Sequence, residues 1–377
     1  MVSCKWLLKL TRSCANWNVA QRQIQLKQTI VPHQTFVKYQ NSLTSVIEKG
    51  LTNISNPEIC TRLKKLTEYN IVSGKQIRGL LMISACDALL KPELKEELQP
   101  QVFALAWAIE MFHSYFLITD DMEDGATTRR GKTCWHLLPE VGSYAINDAG
   151  MLRTFISEIL MQYFGGQPVY PKIVDIFNKA YFKTHIGQFM DTMSCKNRDY
   201  LNFTMEKYIT IVIHKTSFYS YEFPILLALA LSNKGNEEAY KLVKSICRDL
   251  GLLYQMQNDY LDYYEDESVG GKSGTDIQEG KCTWLVLTAL EHCNLSQRQE
   301  FLHNYGKWEK ESVDRIRRLY KELELSKKYA QEKQKLYDTL CQRINNLPED
   351  VIPPSYFLAK LVNMVYTVKN IHYYEKI

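Results

Sequence analysis

Val102, Leu105, Ala106, Ile109, Phe112, His113 and Phe116 recur at helical spacing and run without a break into Asp120-Asp121-Met122-Glu123-Asp124. A buried apolar helix that ends in four carboxylates constrains the fold, because carboxylates leave water only for a partner. A second acidic run, Asn258-Asp259-Tyr260-Leu261-Asp262, follows about 135 residues later. Each run places oxygen ligands at i and i+4, on one face of a helix. Hard cations such as Mg²⁺ take carboxylate oxygens and complete their shell with water or substrate phosphate. Two such faces across a cleft predict metal ions around a diphosphate.

The same periodicity continues from about residue 33 through most of the chain. Leu43, Val46, Ile47, Leu51 and Ile54 follow it, as do Ile209, Val212 and Ile213. Gly and Pro mark the breaks at Gly125 to Gly131, Gly165-Gly166, Gly270-Gly271 with Gly274, and Pro353-Pro354. No apolar–polar alternation is long enough for a sheet. The prediction is a single all-α domain over residues 33–377, a bundle of about ten or more helices around a central cavity.

The formal net charge is +4 over 377 residues, which gives no case for nucleic acid as a partner. No apolar run reaches 18 residues, so no transmembrane segment is predicted. The ten Cys residues include no CxxC pair and suggest neither a zinc site nor a disulfide framework. The first residues stand apart. No Asp or Glu precedes Glu48, while Lys5, Lys9 and Arg12 share one helical face. Residues 1–32 are read as a mitochondrial transit peptide or a loose arm, which leaves a mitochondrial or a cytoplasmic location open.

Cationic residues surround the acidic runs. Arg129 and Arg130 follow the first, and Arg suits a bidentate grip on phosphate. Lys215 sits in an apolar helix, and Lys272, Asp276 and Lys281 follow the second run. Lys75 and Arg78 lie one helical turn apart. Read singly, each is as easily a solvated or snorkelling side chain. Together they outline a site for more than one anionic group.

At these residues the chain resembles the trans-isoprenyl diphosphate synthases, close to the farnesyl diphosphate synthases of animals. The resemblance runs from about Thr35 to the C-terminus. It rests on Ser73-Gly74-Lys75-Gln76-Ile77-Arg78-Gly79, Phe116 to Asp124, Thr128 to Gly131, Cys134-Trp135, Ala145 to Asp148, Gly187-Gln188, Lys215-Thr216 and Gly271 to Ile277. It implies the all-α isoprenoid-synthase bundle, a homodimer, and a prenyl diphosphate substrate. It implies Mg²⁺ held by Asp120 and Asp124, with Asn258 in the place of a third carboxylate ligand and Asp121 and Asp262 in support. Arg129, Lys215, Gln255 and Lys272 would hold the allylic diphosphate. Lys75, Arg78, His113 and Arg130 match the positions for isopentenyl diphosphate. Tyr115 and Phe116 would floor the hydrocarbon pocket.

Three departures stand out. Asn258 replaces an Asp, Ile77 stands where Asn is common, and Tyr374-Glu375 occupies the place of a basic tail. Asn258, Asp262 and Asp266 at i, i+4 and i+8 are similar to the metal motif of class I terpene synthases. Some insect terpene synthases are offshoots of farnesyl diphosphate synthases. The departures therefore favour a terpene synthase that ionises farnesyl diphosphate or an isomer to a carbocation and forms a sesquiterpene. The alternatives are a farnesyl or geranyl diphosphate synthase and a non-catalytic subunit.

Overall fold

The structure, a computed structural model, describes residues 56–71, 74–196, 198–264 and 274–367. Residues 1–32, Asp266, Lys272, Tyr374 and Glu375 lie outside them.

The described chain is a helical bundle. Its first part comprises α1 (Pro57–Asn70), α2 (Ile77–Leu89), α3 (Pro92–Glu97) and α4 (Gln99–Glu123). A two-strand hairpin, β1 (Thr128–Arg129) and β2 (Lys132–Thr133), leads to α5 (Ala145–Phe164) and α6 (Tyr170–Lys196). Next, α7 (Met205–Val212) runs through a π-helical segment, Ile213–Glu222, into α8 (Phe223–Leu231). The long α9 (Glu237–Tyr264) carries the second acidic run. The chain closes with α10 (Asp276–Glu279), α11 (Trp284–His292), α12 (Leu295–Asn304), α13 (Lys310–Glu322), α14 (Leu325–Asn345) and α15 (Ser355–Thr367).

The centre of the larger core is α4. From Val102 to Phe112 every residue of it is buried, Glu110 included. By length and composition α4 could cross a membrane, but 78% of its most apolar stretch is packed inside the protein. It is a core helix, and Glu110 shows why. Its carboxylate accepts the Gly79 N–H at 2.7 Å and ties α4 to the start of α2.

A second apolar cluster gathers Tyr200, Tyr208, Trp284, Phe301, Tyr305, Ile316 and Tyr320 from the later helices. Two of the matched motifs have framework roles. Asp148 on α5 accepts from Arg62 on α1 at 2.6 Å and from the Trp135 indole at 2.9 Å, which ties α1 and the connection after β2 to α5.

The hairpin is the one sheet element among the described residues, and no alternation predicts it. Thr128 pairs with Thr133 and Arg129 with Lys132. Its two turn residues, Arg130 and Gly131, have φ of 56° and 71°. A two-residue loop of this kind needs positive φ at both positions, because only that twist matches the flanking strands.

Candidate active site

A cavity of about 500 Å³ opens between α4, α6, the π-helical segment and α9. Arg78, His113, Asp120, Asp124, Arg129, Arg130, Lys215, Gln255, Asn258 and Asp262 all line it. These residues span nearly 190 positions of sequence, and the fold brings them to one wall system.

Three elements aim the anionic side. Asp120 and Asp124 stand one turn apart on the last turns of α4. Asp121 points elsewhere; it is 4% exposed and takes Arg129 Nε at 2.8 Å. Arg129 also reaches Asp120 Oδ2 at 3.0 Å, so one guanidinium spans both carboxylates. On α9, Gln255, Asn258, Asp259 and Asp262 fall at i, i+3, i+4 and i+7, a single stripe. Asp262 faces the cavity and accepts the Asp276 N–H at 3.1 Å, which fixes the first turn of α10.

The π-helical segment supplies the middle. Its i→i+5 bonding widens the helix locally, a form that recurs at functional sites. Lys215 from this segment meets Asp191 Oδ2 at 2.6 Å and Asp120 Oδ1 at 3.4 Å. Two glycines allow the approach. A Cβ on Gly187 of α6 would overlap the backbone of Lys215, and one on Gly251 of α9 would overlap Ser217. Gln188 then donates to Asp120 at 3.0 Å and Glu123 at 3.1 Å. Across the cavity Lys281 meets Asp124 Oδ2 at 3.0 Å and Glu279 at 2.8 Å.

The charges are tuned by these neighbours. Burial pushes the Asp124 carboxyl up, with Lys281 opposing it. Burial works the same way on Asp191, but Lys215 and Lys281 outweigh it and hold Asp191 below the ordinary range. Lys215 and Lys281 are both raised, since their carboxylates overcome the cost of burial. Both ammonium groups are therefore fixed as cations.

Asp259 has a different role from its neighbours in the acidic run. It is 2% exposed and accepts Tyr208 OH at 2.8 Å, Trp284 N–H at 2.8 Å and Gln255 Nε2 at 2.9 Å. Gln255 in turn accepts the Thr216 hydroxyl at 2.9 Å. Burial nevertheless lifts Asp259 to about 6. The group orients Gln255 and is filled with donors.

A second cationic end lies in the same cavity. Arg78 on α2 donates to Ser220 Oγ at 2.8 Å and Tyr219 OH at 2.9 Å, and stands 3.3 Å from His113 Nε2. Its guanidinium also lies over the Tyr219 ring, 4.5 Å from the centroid. None of these hydrogen bonds goes to a carboxylate; the buried Glu110 acts on Arg78 through its charge. Burial, then Arg78 and Arg130, hold His113 well below its ordinary pKa, so its ring is uncharged at neutral pH. Arg130 is seated by Gly74, whose hydrogen lies where a Cβ would meet the guanidinium at 2.6 Å. Lys75 lies on the adjacent loop, and its side chain is not part of the cavity wall.

Phe116 lines the cavity, whereas Tyr115 does not. Tyr115 instead meets His185 Nε2 at 3.0 Å on α6. Asp191 and Tyr208 escape prediction because no motif marks either among the polar residues of its helix. For Lys281, the signal was its place soon after the second acidic run.

Asp120 and Asp124, with Asn258 and Asp262 opposite, form an oxygen-only donor set. Among the described residues no three His, Cys, Asp or Glu side chains converge on one point. Such a spread suits hard cations that take most of their ligands from water and substrate phosphate, not an all-protein cage. Asp124, raised by burial despite Lys281, is a carboxylate that added positive charge would stabilise. The residues fit Mg²⁺.

A helical bundle with two acidic helix faces and two cationic ends in one cavity is the architecture of an isoprenoid-type synthase. The sequence profile of the polyprenyl synthetase family matches residues 60–323, and the chain belongs to that family. It is 35% identical over 342 residues to farnesyl pyrophosphate synthase of Bos taurus, covering 89% of this chain and 96% of that one. It is 38% identical over 288 residues to a monoterpene synthase of Artemisia spiciformis, covering 76% and 73%. Among solved structures, T. brucei farnesyl diphosphate synthase complexed with risedronate superposes with a TM-score of 0.84 at 28% identity, covering 89% of this chain and 99% of that one. The chain is an enzyme of this family with the family's all-α fold.

Proposed function

We propose that the protein elongates a prenyl chain, condensing an allylic diphosphate with isopentenyl diphosphate. The observation that carries this reading is the second cationic end. Arg78 and Arg130 line the cavity together with Arg129, Lys215 and Lys281, and the Arg78 guanidinium spends its side-chain hydrogen bonds on the Ser220 and Tyr219 hydroxyls, not on a carboxylate. A guanidinium hydrogen-bonded only to hydroxyls can still offer a charge-assisted grip to a phosphate. Ionising one diphosphate needs the first set alone; holding a second needs both. The names of the bovine and trypanosomal relatives support the same reading.

Asp120, Asp124, Asn258 and Asp262 would hold Mg²⁺, which would neutralise the leaving diphosphate. Lys215, Arg129 and Lys281 add fixed positive charge where negative charge develops. Gln255, oriented by Asp259 and Thr216, would donate its remaining amide N–H to the same group. Arg78, Arg130 and His113 would hold the second diphosphate so that its double bond faces the allylic carbon. Phe116 and Tyr219 offer π-faces to the cation that departure leaves.

A terpene synthase is the second reading, and Asn258 favours it. An amide oxygen carries no charge and makes a weaker ligand than a carboxylate at the α9 side of the cavity. The assay that separates them gives purified protein Mg²⁺ with dimethylallyl plus isopentenyl diphosphate, then farnesyl diphosphate alone. Prenyl diphosphates of ten or fifteen carbons are expected from the first mixture. Hydrocarbon from farnesyl diphosphate, with no condensation, would reverse the order of the two readings.

We further propose that two copies of the chain associate. Phe182, Phe189 and Met193 expose 70%, 64% and 60% of their surface along one stripe of α6. Thr184, Gln188 and Asp191 on the opposite stripe face the cavity.

A further inference from the structure

We propose that Tyr305 is a positioning residue for Lys281, and through it for diphosphate binding; this rests on the anion site proposed above. Lys281 is the ammonium that answers Asp124 across the cavity, at 3.0 Å. Its backbone lies on a short connection between α10 and α11, with no helix of its own to hold it. The end of α12 holds it. Tyr305 is 3% exposed, and its hydroxyl donates to the Lys281 carbonyl at 2.6 Å, with the Asp276 carbonyl at 3.2 Å. Gly306 N–H adds a bond to Ile277 O at 3.0 Å.

The contact is a clamp built from both sides. Gly280, next to Lys281, and Gly306, next to Tyr305, have φ of 73° and 77° and lie against each other and against Tyr200. A side chain at either would be strained by its backbone and blocked by the Tyr200 hydroxyl. The Tyr305 ring stacks on Phe301 at 4.7 Å and meets Tyr200 edge-on at 5.1 Å, so its hydroxyl has one direction to point. The Lys281 carbonyl is thus set by a residue 24 positions away that does not itself line the cavity. An ammonium on a flexible stem positions an anion only if its backbone is fixed.

The test uses the full chain, Mg²⁺ and inorganic pyrophosphate, read by titration calorimetry. Tyr305→Phe keeps the ring and removes the hydroxyl, and is expected to weaken pyrophosphate by about threefold to tenfold, the worth of one hydrogen bond. Lys281→Gln is expected to weaken it further. The double variant should match Lys281→Gln within about twofold, because Tyr305 acts through Lys281. Tyr200→Phe is the control. It removes a hydroxyl that has no hydrogen-bond partner from the same aromatic cluster, so wild-type affinity is expected. Wild-type affinity in Tyr305→Phe would sink the proposal, as would losses that simply multiply in the double variant. Equal losses in Tyr200→Phe would make the effect one of packing and would also overturn it. No binding by the wild type would overturn the anion site itself, which is a different result from binding that is insensitive to Tyr305.

Discussion

Asp120 and Asp124 are chemically the same residue one turn apart, yet their surroundings assign them different costs. Asp120 accepts from Arg129, Gln188 and Lys215, whereas burial lifts Asp124 against the charges of Lys281 and, more weakly, Lys215. From the sequence, crowded carboxylates repel and their removal should be harmless to stability. The ion pairs change that expectation for Asp120. A carboxyl raised by folding binds its proton more tightly in the native state, so Asp124 costs stability at neutral pH and the cost fades as pH falls. Asp124→Asn should therefore leave the melting temperature equal or higher, while turnover drops by at least about a hundredfold. Asp120→Asn should lose turnover equally and lower stability by about 1–3 kcal/mol, since it strips charge from three donors. Turnover at wild-type rate in either variant at saturating Mg²⁺ would remove it from the metal set. His113 gives a pH signature of the opposite sign. Its folded pKa is lowered, so the unfolded chain takes up the proton first, and stability is lost as pH falls through about 6.5. The slope is at most about 1.4 kcal/mol per pH unit. Denaturant titrations from pH 7.5 to 5 should show a shallower acid loss in His113→Asn than in wild type.

At the scale of elements, the π-helical segment decides the site, and its contacts can be tested one helix at a time. Gly187→Ala places a methyl on the Lys215 backbone, which cannot step aside. About 1–3 kcal/mol of stability should go, and more activity than stability alone explains, because Asp191 parts from Lys215. Gly251→Ala meets chiefly the Ser217 side chain, so adding Ser217→Gly should restore part of its loss. Equal behaviour of the two glycine variants, with no rescue, would show that the backbone contact is not what matters. Chemical denaturation and steady-state rates on the four proteins read both effects. This segment marks the limit of what the sequence discloses. The acidic faces of α4 and α9 are legible because their spacing is a local helical fact. The close packing of Ile213–Glu222 is not a local fact; it depends on the glycines on α6 and α9 that lie against it. Asp191 is hidden for the same reason, since its importance comes from Lys215, which is 24 residues away. The Arg130-Gly131 turn lies between. Its glycine is visible, but that the positive-φ Arg130 of the loop is seated against Gly74 shows only in the structure.

For the whole molecule the unanswered question is what covers α6. One face of this helix builds the cavity through Thr184, Gln188 and Asp191, so its position cannot vary without cost to the site. The other face presents Phe182, Phe189 and Met193 to solvent, and α5 adds Ile146 and Met161, exposed by 68% and 56%. Apolar side chains of this size gathered on one pair of helices mark an association surface more often than chance exposure does. A two-fold contact would lay the stripe on its own copy, which makes the interface self-complementary. The prediction is a dimer by light scattering at micromolar protein. Phe189→Glu with Met193→Glu would put like charges opposite each other across the two-fold axis and should give a monomer. Because α6 carries cavity residues on its other face, the monomer should also lose activity, through a lower kcat and not through weaker pyrophosphate binding at the far wall. A wild-type monomer at that concentration would remove the interface, and a charged variant that stays dimeric would place the contact elsewhere on the molecule.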